Sequence, residues 1–440
     1  MILRPNAHGR IKWMAVFAIY FLFILAPRFQ VGVGVHAGLL ALVAMLFLAH
    51  VYLGAAAADA RIWRAAAFLV MLAAYHIVMA LFYGNTFTEF SAICFSAITY
   101  LLFGYLLTFY LTDSLIAKPD PIHAIALLYV GVMFVNSVTI ILEYSIPPLK
   151  AALESIQDAG SNISYADHPF RNRGLAAGGG AGLSVANAMA IWACVSLWRR
   201  DLVSSNTCLL ITSALAASNI FTGRTGLLLG LLAVGVFMLM LGRRAITARA
   251  ISVKSLVGVA FVIGALIIAG SQITLSDEVI GWAFEWAGDW ASGDSALDTS
   301  STDDLRSMLF FPTDALHLLL GVGFFEGVGK IYPRSDSGYL KTLLSIGLPL
   351  SLVLYGWIYH SLLQVARMAS GLRFFMIPML FALAFTEIKE PFIYQSASGR
   401  FLFTLMGACI AMQALRKVPD EPAVDQSFSA PGMLKSPNLS

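Results

Sequence analysis

Charge is scarce in this chain of 440 residues: Asp, Glu, Lys and Arg make up 12% of it, against 59% apolar residues. A water-soluble domain carries roughly 25% charged residues, so water is not the main solvent here. The mean hydropathy of +0.78 says the same. A net charge of only +3 leaves no basic surface for nucleic acid. Cysteine is scarce too. Cys94, Cys194, Cys208 and Cys409 sit inside apolar runs, without the spacing of a metal site or an external disulfide framework, and read as small core hydrophobes. His36, His50, His76 and His123 lie in or at the ends of apolar runs and form no HExxH-like pair, so neither a metal nor another cofactor is expected.

What the chain has in abundance is long apolar stretches. A bilayer core of about 30 Å needs roughly 20 apolar residues per helix, and the runs 13–25, 33–53, 65–82, 92–111, 122–142, 181–198, 207–220, 225–241, 256–269, 339–359, 374–385 and 401–414 predict about twelve spans. The fold class expected is all-α: a polytopic integral membrane protein of about twelve transmembrane helices with a long periplasmic loop. Lys and Arg mark the cytoplasmic side of short loops. Arg61 and Arg64, Lys118, Arg199 and Arg200, Arg243 and Arg244, Arg367 and Arg373, and Arg416 and Lys417 fall in alternate links, which predicts both termini inside. The layout is then 1–269 as spans one to nine, including a periplasmic loop at 145–180. A large periplasmic loop follows at 270–338, spans ten to twelve at 339–416, and a disordered cytoplasmic tail at 417–440, rich in Pro and Ser.

The outer side receives the unusual residues. Its long loop is acidic, with Asp277, Glu278, Glu285, Asp289 and Asp294 among others. Within it Trp282, Trp286 and Trp290 recur every four residues and share one helical face, either as an interfacial anchor or as a platform for sugar rings. Arg171, Arg173 and Arg224 lie where the topogenic rule predicts few cations. Planar guanidinium forks at helix ends suit phosphate, and snorkelling to lipid headgroups is the competing reading. His168 stands three residues before Arg171, as a sugar contact or a solvated loop residue. Arg334, Asp336 and Lys341 crowd one short stretch before the tenth run, where a carboxylate beside cations is either a general base or half of an ion pair.

Four blocks carrying these residues, RNRGLAAGGGAGLSVANAMA, SNIFTGRTGLLLGL, DDLRSMLFFPTDALHLLLGVGFF and SDSGYLKTLLSIGLPL, resemble in order the motifs of the O-antigen ligase and Wzy-type polysaccharide polymerase superfamily. Gly223 stands where the family's turn usually has Ser, and Asp336 where ligases carry His, which favours the polymerase branch. The resemblance implies a GT-C-like enzyme of the bacterial inner membrane that needs no metal. It would join undecaprenyl-pyrophosphate-linked repeat units into O-antigen, capsule or exopolysaccharide, with membrane lipids and a chain-length regulator as partners. It also implies that Arg171 or Arg173, Arg224 and Arg306 hold the pyrophosphate, with Arg334 beside Asp336 as a further candidate; Arg224 and Asp336 are the expected catalytic pair, Arg224 stabilising the departing pyrophosphate and Asp336 activating the accepting hydroxyl. A ligase that transfers glycan to a lipid A core and a secondary transporter are the competing functions.

Overall fold

The computed structural model describes residues 7–31, 33–84, 89–114, 120–157, 171–247, 306, 308–325, 332–333, 335–393 and 396–416. In chain order these form α1 (Ala7–Leu25), a ribbon of β1 (Arg28–Val31) and β2 (Val33–His36), α2 (Ala37–Leu48), α3 (Leu53–Ala58) and α4 (Ala60–Phe82). Then come α5 (Glu89–Ser114), α6 (Pro121–Ser145), α7 (Pro147–Ile156), α8 (Gly180–Arg199), α9 (Ser205–Asn219) and α10 (Arg224–Thr247). Last are α11 (Ala315–Leu320), α12 (Gly338–Met368), α13 (Arg373–Thr386) and α14 (Ser396–Leu415). Several starts are set by local chemistry. Asp59 and Asp120 accept from the backbone N–H two residues on and cap α4 and α6, and Pro121 occupies the first turn of α6, where its missing N–H costs nothing.

The chain is an all-α polytopic membrane protein, but the described residues do not form the expected twelve spans. Among the described residues seven helices are long and apolar enough to cross a membrane, or eight if the pair α2 and His50–Ala58, bent by 73°, is one broken span. Apolar composition overcounted because it ignores where the backbone turns. The run 33–53 is not a single helix: its first residues pair back on β1, with Arg28 opposite His36, before α2 begins. The runs 207–220 and 374–385 became helices of 15 and 14 residues, short for a bilayer crossing, and the first run is likewise a short apolar helix. The run 256–269, most of the loop 270–338 and the tail after 416 lie outside the described residues.

At the centre stands α8, in which every residue from Gly182 to Trp198 is buried. Its sequence explains this: Gly, Ala and Ser let neighbouring helices approach closely, which is how helices associate where lipid tails are as apolar as Leu. α6, α9, α10, α13 and α14 surround it. A Cβ at Gly226 of α10 would overlap the Ser184 carbonyl, and the Gly226 N–H donates to the Ser184 hydroxyl at 3.1 Å. Halfway along, Asn187 donates to Ser218 and to Asn219, each at 3.1 Å, and Asn219 donates to the Gly226 carbonyl at 3.0 Å. In apolar surroundings each of these groups needs a partner, so the network fixes the register of three helices.

α12 is broken. Gly347 sits at φ 77°, ψ 166°, a backbone region open essentially to Gly, and Pro349 follows at the start of the second half. The segment after α11 fills the break. Val322 N–H donates to the Leu344 carbonyl at 2.7 Å, and the Ser345 hydroxyl donates to the Phe324 carbonyl at 2.9 Å. A Cβ on Gly321 would meet Gly347 and Ile346, and one on Gly323 would overlap the backbone of Ala80 in α4. Irregular backbone is tolerated at this depth because protein groups satisfy it.

Candidate functional site

Arg171 and Arg224 are 53 positions apart, yet a backbone bond holds their loops together: Asn172 N–H donates to the Phe221 carbonyl at 3.1 Å. The loop bearing Arg171 is pinned from below. The Glu143 carboxylate accepts from Gly174 N–H at 2.9 Å, the Asn136 side-chain oxygen from Leu175 N–H at 2.7 Å, and the Gln157 amide donates to the Gly174 carbonyl at 3.1 Å. Gly174 is required here, since it has φ 62° and a Cβ would press on Asn136. Arg224 is the first residue of α10, where a cation faces the like-signed end of the helix dipole. Helix stability alone would not put it there.

The second half of the site comes from the far end of the sequence. Glu387, just past α13, accepts on its backbone carbonyl from Gly338 N–H at 2.9 Å, which brings the start of α12 against the link 387–393. Asp336 lies immediately before that helix, 4.0 Å from the Lys341 ammonium, and Ser337 caps it. Lys341 is buried, with its ammonium 5.6 Å from the centre of the Phe325 ring. Lys389 and Glu390 complete the group. Burial lowers the Lys389 pKa, opposed by Glu390, and Arg224 and Arg171 lower it further by charge. Burial raises the Glu390 pKa, opposed first by Lys389, while Asp336 adds to the rise.

Four chain segments therefore place Arg171, Arg224, Lys341 and Lys389 in one electrostatic neighbourhood with Asp336 and Glu390. Cations outnumber carboxylates, so the site favours an anion, and it offers carboxylates able to take a proton. Beneath it, Glu387 is fully buried and accepts from the Tyr355 hydroxyl at 2.8 Å and from Ile393 N–H at 3.2 Å. Burial pushes its pKa up to about 8 in spite of those bonds. This carboxyl holds the segments together and is not presented to a ligand.

Of the residues singled out in the sequence, Arg171, Arg224 and Asp336 come together. The Arg173 guanidinium reaches the Ala177 carbonyl at 3.4 Å, and its charge acts on Glu143. Arg306 is exposed. Arg334, His168, Trp282, Trp286 and Trp290 lie outside the described residues. Sequence reasoning passed over Lys389, Glu390 and Glu387. The signal was available in TEIKEPF, a charged cluster in a short link between two apolar runs. Among the described residues no group of His, Cys, Asp and Glu is arranged to hold a metal ion.

No protein-family model, no curated protein and no solved structure matches this chain.

Proposed function

We propose that the protein polymerises a surface polysaccharide, transferring a growing chain from its lipid-linked pyrophosphate to a sugar hydroxyl of the next lipid-linked repeat unit, on the outer face of a bacterial inner membrane. The observation that carries the reading is the convergence of Arg171, Arg224, Lys341 and Lys389 at one end of the helix bundle, beside Asp336 and Glu390. Breaking the bond to a pyrophosphate builds negative charge on the departing oxygens, and preorganised cations stabilise that charge most where water is partly excluded. Arg171 and Arg224 supply planar donor forks, and Lys341 and Lys389 supply point charges. Asp336, with its side chain 41% exposed, is open to an incoming hydroxyl. Glu390 is the second carboxylate within reach of the same charges, and burial raises its pKa against the pull of Lys389, which makes it a better proton acceptor than an exposed carboxylate.

The resemblance of the RNRGLAAGGG, FTGRTG and SDSGYLKTLL blocks to the ligase and polymerase superfamily supports the same reading. Two of the resembling blocks meet at the Asn172 to Phe221 bond, although they are far apart in the chain. The test is the banding pattern of surface polysaccharide from a strain carrying Arg224→Ala. Loss of long chains with single-repeat caps retained is the expected result, and Arg224→Lys should recover only part of the length. Wild-type banding in Arg224→Ala would remove the proposal. Loss of the single-repeat caps as well would replace polymerase by ligase.

A transporter reading has one observation in its favour: the break in α12 at Gly347, since discontinuous helices line the substrate sites of many carriers. Here, however, a protein segment fills the break. Uptake of a labelled oligosaccharide into vesicles containing the purified protein would favour the carrier.

A further inference from the structure

The two ends of α8 differ in what surrounds them. Its first residue adjoins the loop of Arg171. Its last, Arg199, lies about 30 Å away at 1.5 Å per residue and opens onto a separate cavity of about 670 Å3. Arg199, Arg200 and Arg373 line that cavity, together with Gly371, Phe374, Ile377 and Pro378. Three guanidinium groups are among its described lining residues, and the Asp120 charge acts together with Arg200 on His123, next to Gly371. The volume falls within the roughly 300–1,000 Å3 of small-molecule sites.

The cavity is built, not incidental. The Arg199 guanidinium lies 4.3 Å from the centre of the Phe374 ring, which fixes a side chain that would otherwise sweep through solvent. Arg373 Nε donates to the Ala366 carbonyl at 3.2 Å. The Ser196 hydroxyl donates to the Gly371 carbonyl at 2.8 Å and ties the turn between α12 and α13 to α8. Gly371 leaves room for Arg200, since a Cβ there would meet Arg200 Nε at 2.6 Å and His123 Nε2 at 2.5 Å. The floor is apolar and runs out of the cavity along α13, where Ile377, Phe381 and Phe385 recur at every fourth position and are 45%, 67% and 72% exposed. On a helix that spacing is one stripe, directed at lipid.

We propose that this cavity binds the phosphate headgroup of an anionic phospholipid, with the acyl chains laid along the Ile377, Phe381 and Phe385 stripe. The shared chemistry is a phosphate held by guanidinium forks, and the apolar continuation identifies a lipid as its source instead of a free phosphate ester. The Lys and Arg bias assigns this end to the cytoplasmic leaflet, where basic pockets between helices recognise anionic headgroups. The inference does not depend on the polymerase reading.

Native mass spectrometry of the purified full-length protein, titrated with phosphatidylglycerol or with phosphatidylcholine of the same acyl chains, tests it. The wild type should retain the anionic lipid in preference. The variant Arg199→Gln/Arg200→Gln/Arg373→Gln should lose about a hundredfold of that preference, given the general worth of each basic group near an anionic headgroup. Arg367→Gln, exposed at the same end but not lining the cavity, should keep it. Should the triple variant elute as aggregate, Arg373→Gln alone, at an exposed position, should show a partial loss. Equal retention of the two lipids by the wild type, or a preference unchanged in the variants, overturns the proposal. Displacement of the lipid by millimolar glycerol phosphate overturns the lipid assignment in favour of a soluble phosphate ester.

Discussion

Both ends of this bundle gather cations, but they are built differently. At the end of Arg171 and Arg224 the cations are interleaved with Asp336 and Glu390, and backbone bonds between segments remote in sequence hold them together. At the other end Arg199, Arg200 and Arg373 are exposed side chains around an open cavity. Arg61, beside a second cavity of about 520 Å3 at that end, is paired with Asp59 at 2.9 Å. Charge placed next to counter-charge in a half-buried setting is preorganised for developing charge, which is what catalysis requires. Charge at the rim of an open cavity suits recognition of a group that is already ionised.

The sharpest way to break the contrast is to remove one cation from each end. On the proposed polymerase reading, Arg224→Ala should lower the rate of chain extension in reconstituted membranes about a hundredfold or more. Arg367→Gln, at the opposite end, should leave it unchanged. Equal losses would mean that the two ends do not differ in function. Next in size, Asp336→Asn and Glu390→Gln separate the two carboxylates. Whichever acts as base should cost about 10²–10⁴ in rate, and the other should cost far less.

A smaller effect falls on the frame beneath the site. Gly347→Ala forces a side chain into a conformation that costs about 1–3 kcal/mol and directs it at the Leu319 carbonyl, so the melting temperature in detergent should drop. An undiminished melting temperature would show that the break in α12 does not require glycine. Glu387 gives the mildest test. Its carboxyl sits near 4.5 in the unfolded chain and near 8 in the fold, so between those values the folded state keeps a proton that the unfolded state has lost. Stability should therefore fall as pH rises from about 5 to 8, and Glu387→Gln, a permanent mimic of the protonated form, should flatten that slope. An identical slope in the variant would assign the effect to another group.

Much of this was legible in one dimension. The shortage of charge and the repeated apolar runs determined that the chain is helical and lives in a membrane, because a bilayer leaves the backbone few other ways to satisfy its polar groups. The oddity of Arg171 and Arg224 was also visible, since cations on the wrong side of a loop pattern stand out without any geometry. The number of crossings was not legible. An apolar run has the same composition whether it crosses, turns back as β2 does on β1, or bends by 73° as α2 does into the helix after it. Only the tertiary structure decided which charges meet. Lys389 and Glu390 come beside Arg171 because α13 ends against the start of α12. Hydrophobicity is read locally, residue by residue, whereas the meeting of four charged segments depends on how helices pack, and packing has no local signature.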